Sequence, residues 1–266
     1  ILLVGVEIRK AWTAALMMAA AACGPGEPDR VVADRYDSFW LWGGVRAQPA
    51  LQRARTLYLL DGEIRAREPG RYAALRPGAP RLAGKSVWLV VRTDTLDWPD
   101  ESAAVLAGRL DRWAAAGNKV TGLQVDFDAR THGLAHYAAF LRALRRQLPS
   151  RYRLSVTGLM DWSANGDPTA LAALQGVVDE VVVQTYQGRE TIPGYEAWFA
   201  RMRGFRLPFK VGLVQGGRWR PPAGLAAEPN FRGYVVFLVN PPRGAGSSRR
   251  ERPAFTPPGS LPIGLP

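Results

Sequence analysis

Residues 122–128, with the sequence Gly-Leu-Gln-Val-Asp-Phe-Asp, are the stretch that decides the fold. Their apolar members predict a buried strand, and Asp126 and Asp128 stand at its carboxyl end. Side chains alternate between the two faces of a strand, so we expect Gln124, Asp126 and Asp128 on the same face. A row of polar groups on an otherwise apolar strand is costly to bury unless it lines a site. The stretch therefore predicts a strand that carries functional residues at its end.

Seven further apolar runs of strand length lie along the chain. Most are rich in Val and Leu, which is typical of strands that are buried on both faces in a parallel sheet. The eight predicted strands cover residues 36–43, 56–64, 86–93, 121–128, 153–162, 178–186, 209–215 and 233–240.

Helical periodicity separates the later strands. The predicted helices cover residues 100–116, 133–147, 168–175 and 194–203. Strands that alternate with helices through right-handed crossovers form a closed barrel or an open doubly wound sheet, and eight strands favour the barrel. The predicted fold is α/β, a single (β/α)8 TIM-type barrel over residues 34–242. Prolines interrupt residues 65–85, so this connection is not expected to be a regular helix.

The two ends of the chain differ from the predicted barrel. Arg9 and Lys10 precede a short apolar run at residues 11–22, which leads to the only cysteine, Cys23. This pattern indicates a signal peptide over residues 1–22, and the segment resembles the lipobox of bacterial lipoproteins. The resemblance implies lipidation of Cys23, a membrane anchor and a place in the bacterial cell envelope, periplasmic or on the outer face. An ordinary signal peptide is the alternative. Residues 23–33 are then a tether, and the Pro- and Arg-rich residues 243–266 are predicted to be a disordered tail.

The formal net charge of +12 makes the protein strongly basic. A basic surface favours anionic envelope polymers or lipid head groups, although solvated basic faces are the simpler explanation. Nucleic acid is not expected as a partner, because an exported protein would rarely meet it and the sequence contains no binding motif for it. We expect a monomer.

Polar and aromatic residues stand at the carboxyl ends of the predicted strands, where the site of a β/α barrel lies. Glu63 in the second strand joins Asp126 and Asp128 as a candidate catalytic residue. The candidate substrate-binding residues are Trp40, Trp42, Asp161, Trp162, Gln184, Tyr186, Gln215 and Asn240. Further residues of the same kinds at strand ends are Asp61, Arg92, Asp94 and Trp219. Carboxylates and amides bond to hydroxyl groups, and flat rings stack on pyranose faces, so the set predicts a carbohydrate ligand. No cofactor is implied.

The stretch at residues 121–128 resembles the fourth-strand signature of the family 18 glycoside hydrolases, the chitinase-like barrels. That signature reads Asp-Gly-x-Asp-x-Asp-x-Glu; Gly122 and Asp126 match it, and Asp128 replaces its catalytic Glu. Residues 183–186 are similar to a sixth-strand segment in which a tyrosine faces the substrate. The resemblance implies that Asp126 positions the substrate and that Asp128 stands in for the acid. Because Asp is one methylene shorter than Glu, Glu63 is the alternative acid.

The chain also resembles an uncharacterised bacterial barrel family, known only as a domain of unknown function. The shared features are the Asp-aromatic-Asp motif at residues 126–128, Asp161-Trp162 near the end of the fifth strand, and Gln184 in the sixth. This resemblance covers most of residues 36–240. It implies the barrel fold but no activity.

These observations lead to one main hypothesis on function and two alternatives. The main hypothesis is a glycoside-hydrolase-like protein that acts on an envelope or extracellular polysaccharide by carboxylate acid/base chemistry. The alternatives are a non-catalytic glycan-binding barrel and a scaffold lipoprotein with a vestigial site. If Asp126 and Asp128 are both buried, we expect them to titrate as a coupled pair. No metal site is predicted, because His132 and His136 lack an evident third ligand.

Overall fold

The computed structural model of the chain describes residues 29–67, 71–128, 133–162 and 167–240. Within them, eight parallel strands build the barrel. They are β1 (Ser38–Leu41), β2 (Thr56–Ile64), β3 (Ser86–Thr93), β4 (Lys119–Asp126), β5 (Arg153–Leu159), β6 (Glu180–Gln184), β7 (Phe209–Val214) and β8 (Phe231–Phe237). Each corresponds to a predicted strand, with ends that differ by no more than a few residues. The predicted signal peptide, Cys23 and the C-terminal tail lie outside the described residues.

The strands close into a cylinder. They pair in the order β1-β8-β7-β6-β5-β4-β3-β2, and β2 pairs back onto β1. All these pairings are parallel, which confirms the predicted barrel. The seam between the first and last strands is short, with Phe39 beside Val236 and Trp40 beside Phe237.

Among the described residues, four α-helices cover the later strands. They are α1 (Ser102–Ala115), α2 (Leu134–Gln147), α3 (Pro168–Ala172) and α4 (Tyr195–Arg201). The apolar faces predicted from spacing are the buried ones, with Leu110 and Trp113 of α1 and Tyr137 and Leu141 of α2 fully enclosed. No helix in this part of the chain is both long and apolar enough to cross a membrane.

The early connections are irregular, as the prolines predict. A 3-10 helix at Pro49–Arg53 links β1 to β2. The connection from β2 to β3 contains a short strand, Tyr72–Ala74, that pairs antiparallel with the end of β2. This extra strand extends the sheet beside the end of β2, and the described part of the connection contains no helix.

Two apolar cores lie on the two faces of the barrel sheet. The outer core fills the space between the strands and the helices and includes Leu59 and Ile64 of β2. The inner core fills the cylinder, and its buried members are Trp40, Tyr58, Leu60, Trp88, Val90, Val182, Tyr186, Val214 and Val235. Membership of one core or the other therefore tells which way a side chain points along each strand.

Gly122 is required by the close contact between β4 and β5. A Cβ atom at this position would lie 1.9 Å from the carbonyl oxygen of Arg153. The contact holds the two strands in a register that pairs Gln124 with Ser155. It thereby positions the inner face of β4, which leads to Asp126.

Candidate functional site

Three charged residues form a row across neighbouring strands at the end of the barrel where the carboxyl ends of the strands lie; we call this end the mouth. Glu63 of β2 pairs with Arg92 of β3, and Arg92 pairs with Asp126 of β4. Partners in register on parallel strands point to the same face. Arg92 follows the inner-core residues Trp88 and Val90 at a spacing of two, so the row lies on the inner face. The end of β4 predicted from the sequence thus sits in a line of alternating charge.

A β-bulge directs Glu63 into this row. Leu60 pairs with Val90 and Gly62 with Val91, so Asp61 is an extra residue without a partner on β3. An extra residue reverses the alternation of the side chains beyond it. Glu63 consequently faces inward, although simple alternation from Leu60 would have sent it outward. The bulge is invisible in the sequence of β2 alone, because it depends on the register with β3.

Asp61 is placed on the outer side of the sheet, which corrects its position among the strand-end candidates. Its carboxylate is buried and accepts hydrogen bonds from Arg109 Nε at 2.7 Å, Arg109 Nη2 at 2.6 Å and Trp113 Nε1 at 3.2 Å. The Tyr72 hydroxyl donates a further bond at 2.5 Å. Asp61 therefore fastens β2 to α1 and to the extra strand.

Asp126 is the buried carboxylate of the mouth. Its Oδ1 accepts a hydrogen bond from Thr157 Oγ1 at 3.0 Å, and its Oδ2 lies 3.5 Å from Arg92 Nη1. Oδ2 has no hydrogen-bond partner among the described residues. Burial raises the pKa of Asp126 to about 6, against the lowering effect of Arg92, and Asp128 and Glu63 add smaller upward shifts. Asp126 can thus exchange a proton near neutral pH.

Asp128 lies beyond the end of β4 and is exposed. The condition for a coupled buried pair is therefore not met, since only Asp126 is buried. The electrostatic effect of Asp128 on Asp126 is a lesser cause of the raised pKa, after burial and Arg92. Of the two carboxylates, Asp128 is the one open to solvent at the lip of the mouth.

Glu63 is buried, and its Oε2 is held by Arg65, which bonds to it through both Nε and Nη2. The guanidinium of Arg65 is about half exposed, so the pair stands at the edge of the mouth. Glu63 and Arg65 thus form an ion pair whose carboxylate is buried.

Four aromatic residues form one wall of the mouth, which we call the aromatic wall: Trp40, Trp42, Tyr186 and Phe237. Tyr186 stacks on Phe237 with ring centroids 5.6 Å apart, and Trp40 and Trp42 meet the ring of Phe237 edge-on. Burial, and next the charge of Asp126, raises the pKa of the Tyr186 hydroxyl well above its ordinary value. The wall therefore stands beside the charged row. Phe237 was not predicted, because nothing in the sequence of β8 separates it from a core residue.

The amide candidates divide into two groups. Gln184 ends β6, is half-buried and makes no side-chain hydrogen bond within the described chain. Gln215 donates to Gln48 Oε1 at 2.8 Å and accepts from the backbone of Val239 at 3.1 Å. Asn240 accepts from Arg46 N at 2.8 Å and donates to Gly44 O at 2.9 Å. Gln215 and Asn240 therefore fasten loops together, and Gln184 is the amide that is left for a ligand.

Two tryptophans expected near the sugar are in the outer core. Trp162 is buried and meets Tyr137 of α2 edge-on at 6.0 Å. Trp219 stacks on Tyr195 of α4 at 4.6 Å. Both pack against helices, so neither can be a sugar platform inside the mouth. Asp161 follows β5 and is half-buried.

A second buried polar group lies at the opposite end of the barrel interior and was not predicted. Glu180 at the start of β6 accepts a hydrogen bond from Tyr58 Oη at 2.6 Å and lies 3.2 Å from Lys210 Nζ. Ser155 lies 3.4 Å from the same carboxylate and accepts a bond from Gln124 Nε2 at 3.0 Å. Gln124 therefore points inward as expected, but it serves this lower network.

No group of three or more His, Cys, Asp or Glu side chains within the described residues could hold a metal ion. His132 lies outside those residues, so the absence of a histidine metal site stays a prediction.

Comparisons with known proteins give one family and several similar structures. Residues 83–195, less than half of the chain, match the family described as "Domain of unknown function (DUF3142)". Over these residues the expected resemblance to an uncharacterised family is confirmed. No curated protein sequence matches the chain.

The solved structures similar to the chain include the following three. The Bacillus cereus spore cortex-lytic enzyme SleL is 18% identical with a TM-score of 0.45, covering 67% of this chain and 50% of that one. This chain thus spans half the length of SleL. A tamarind chitinase-like lectin is 13% identical with a TM-score of 0.45, covering 76% and 94% of the two chains. The chitinase domain of the Clostridium difficile spore coat protein CotE is 14% identical with a TM-score of 0.42, covering 73% and 67%.

Proposed function

We propose that the mouth is a glycan site at which carboxylate acid/base chemistry cleaves a glycosidic bond. One observation carries this proposal: the buried Asp126, whose pKa is raised to about 6, stands in a row with Glu63 and Arg92 beside the aromatic wall. A carboxyl that keeps its proton near neutral pH is suited to protonate a leaving oxygen. Flat rings next to it suit the face of a pyranose.

The environment of each carboxylate suggests its role. Asp126 is the general acid, because it is buried, exchanges its proton near neutral pH and has an oxygen without a hydrogen-bond partner. Asp128 is exposed at the lip, where it can orient the substrate or the attacking water. Glu63 supplies a second carboxylate inside the mouth. This reverses the assignment expected from the family 18 resemblance, in which Asp128 or Glu63 is the acid and Asp126 positions the substrate.

The neighbouring polar groups would hold the sugar. Gln184 and the Tyr186 hydroxyl make no hydrogen bond to any described residue, so they are available to sugar hydroxyls. The proposed binding set no longer includes Gln215, Asn240 and Trp162. The two amides hydrogen-bond to loop residues, and the indole packs in the outer core.

The experiment is an assay of reducing-end release. The protein is incubated with a panel of bacterial and plant glycans and chitin oligomers, beside Asp126→Asn, Asp128→Asn and the control Asp100→Asn, which changes an exposed carboxylate before α1. We expect Asp126→Asn to lower release about a hundredfold or more, since an acid catalyst contributes roughly 10²–10⁴ in rate. Asp100→Asn should act like the unaltered protein. Release that survives in Asp126→Asn would exclude this residue as the acid.

A non-catalytic glycan-binding barrel is the second candidate function. It is favoured by the engagement of Glu63 with Arg65, which leaves that carboxylate less free to act on a substrate. In this case a glycan would be retained without release, and Trp42→Ala would weaken retention. A scaffold role is the outcome if no glycan is either bound or cleaved.

The envelope location stays a prediction that depends on residues 1–23. Labelling with radioactive palmitate in a bacterial host tests it, and Cys23→Ser should abolish the label.

A further inference from the structure

Arg92 occupies the centre of the mouth. It lies between Glu63 and Asp126 in the charged row, and its guanidinium carbon sits 4.8 Å from the ring centre of Trp42. Stacking on an indole fixes the plane of a guanidinium and leaves its edges open. About a third of the Arg92 side chain is exposed, at 31%. A ligand in the mouth can therefore reach it.

The N–H groups of the Arg92 guanidinium make no hydrogen bonds within the described residues. Its closest carboxylate oxygen, Asp126 Oδ2, is 3.5 Å away, which makes an ion pair but no hydrogen bond. Arg92 makes no side-chain hydrogen bond to any residue that the structure describes, although a guanidinium carries five N–H donors.

Comparable arginines in this protein use their donors. Arg109 makes two bonds to Asp61 and one to the carbonyl of Arg76. Arg145 donates to three backbone carbonyls at the end of α2. An oriented, half-buried guanidinium with free donors is therefore particular to the mouth among these three, and it suggests a ligand in place of a structural partner.

We propose that Arg92 binds a carboxylate on the substrate, so that the glycan handled at the mouth is an acidic one. The proposal rests on the proposed function, because it names the substrate class of the same site. A planar carboxylate matches the two parallel donors of a guanidinium fork, and such charge-assisted pairs are about twice as strong as neutral ones. A phosphate ester offers the same acceptor chemistry and is separated by experiment.

The charges around Arg92 permit an anion to enter. Glu63 is balanced by Arg65, and Asp126 spends part of its time protonated near neutral pH because it is buried. Asp128 is the exposed carboxylate at the lip, and it faces the solvent. Exposed arginines stand in the loops beyond β1, β2 and β6, namely Arg46, Arg67 and Arg189. These arginines favour the approach of an acidic glycan, and the exposed carboxylates of Asp94, Asp128 and Glu190 oppose it in part.

The test compares acidic probes with their neutral forms on the unaltered full chain. Calorimetry measures binding of trigalacturonic acid, of trigalacturonic acid methyl ester, of N-acetylmuramic acid and its methyl ester, and of mannose 6-phosphate beside mannose. We expect at least one carboxylic acid to bind roughly ten- to a hundredfold more tightly than its ester, as charged hydrogen bonds do. Preference for the phosphate alone, or binding of every ester as tight as its acid, overturns the proposal. So does a panel in which no acid binds.

The variants assign the preference to one side chain. Arg92→Lys keeps the charge and removes the fork, so it should bring the acid near the affinity of its ester and leave the ester unchanged. Arg142→Lys on the outside of α2 is the matched control and should behave as the unaltered protein. A drop of equal size for acid and ester would contradict a carboxylate contact. If Arg92→Lys does not fold, the comparison of acid and ester on the unaltered chain still shows whether the site prefers a carboxylate.

The readout separates this inference from the proposed hydrolysis. Binding is measured without turnover, so acid-selective binding with no release of reducing ends would sustain the role of Arg92 and remove the enzyme. Release of reducing ends from neutral glycans, with no tighter binding of the acid, would sustain the proposed hydrolysis and remove the proposed role of Arg92.

Discussion

At the scale of single residues, Asp126 links stability to pH. Its pKa rises from 3.8 to about 6 on folding, so between these values the folded protein binds more protons than the unfolded chain. Stability from this group is therefore present at low pH and is lost as pH rises through the window. Asp126→Asn keeps the side chain uncharged, so it should be more stable than the unaltered protein at pH 7 by up to about 3 kcal/mol.

Urea unfolding of both proteins at pH 4 and pH 7 checks this expectation. The advantage of Asp126→Asn should shrink toward zero at pH 4, and Asp100→Asn should show no such trend. An advantage that is the same at both pH values would place its cause outside the titration of Asp126.

Asp126 and its neighbours show which features of the site could be predicted from the sequence. Alternation along residues 122–128 placed Gln124 and Asp126 on the inner face, because that pattern is local to one strand. The engagement of Gln215 and Asn240 could not be predicted, since their partners Gln48 and Arg46 lie on a loop far away in the chain. Trp162 follows its strand, and its direction is set by Tyr137 on another element.

At the scale of elements, the bulge in β2 controls the direction of Glu63. Gly62 has no room for a side chain, since a Cβ there would lie 2.3 Å from the ring of Tyr72. Gly62→Ala should therefore push the Tyr72–Ala74 strand away, loosen the bulge and weaken the hold on Glu63. We expect it to destabilise the protein by about 1–3 kcal/mol, as overpacking does.

Titration of Asp126 by carbon NMR tests the direction of the Glu63 side chain separately from the stability of the protein. Glu63 raises the pKa of Asp126, so both Glu63→Gln and Gly62→Ala should lower it. Gly62→Ala should have no further effect when Glu63→Gln is already present. If the pKa of Asp126 is unchanged in Gly62→Ala, the bulge does not determine the direction of the Glu63 side chain.

At the scale of the whole molecule, the barrel interior holds two polar layers, one at each end. The lower layer joins β2, β6 and β7 through Tyr58, Glu180 and Lys210. Lys210→Met would leave Glu180 buried without its counter-ion, which should cost about 3–5 kcal/mol in unfolding free energy. The double variant with Glu180→Gln should recover part of the loss. Because Glu180 lies at the amino end of β6 and not at the mouth, ligand binding at the mouth should not change; altered binding would show that the two layers are connected.

The short seam of the barrel has a consequence for how the protein is made. Trp40 belongs to the first strand and Phe237 to the last, yet they pair and share the aromatic wall. A ribosome must therefore deliver nearly the whole domain before that wall can exist, and a nascent chain that ends before residue 231 has an open cylinder with the bulky faces of β1 and β7 uncovered. The proposed glycan site thus arises only after β8 has been made, and the interval before it is when the chain most needs protection from self-association.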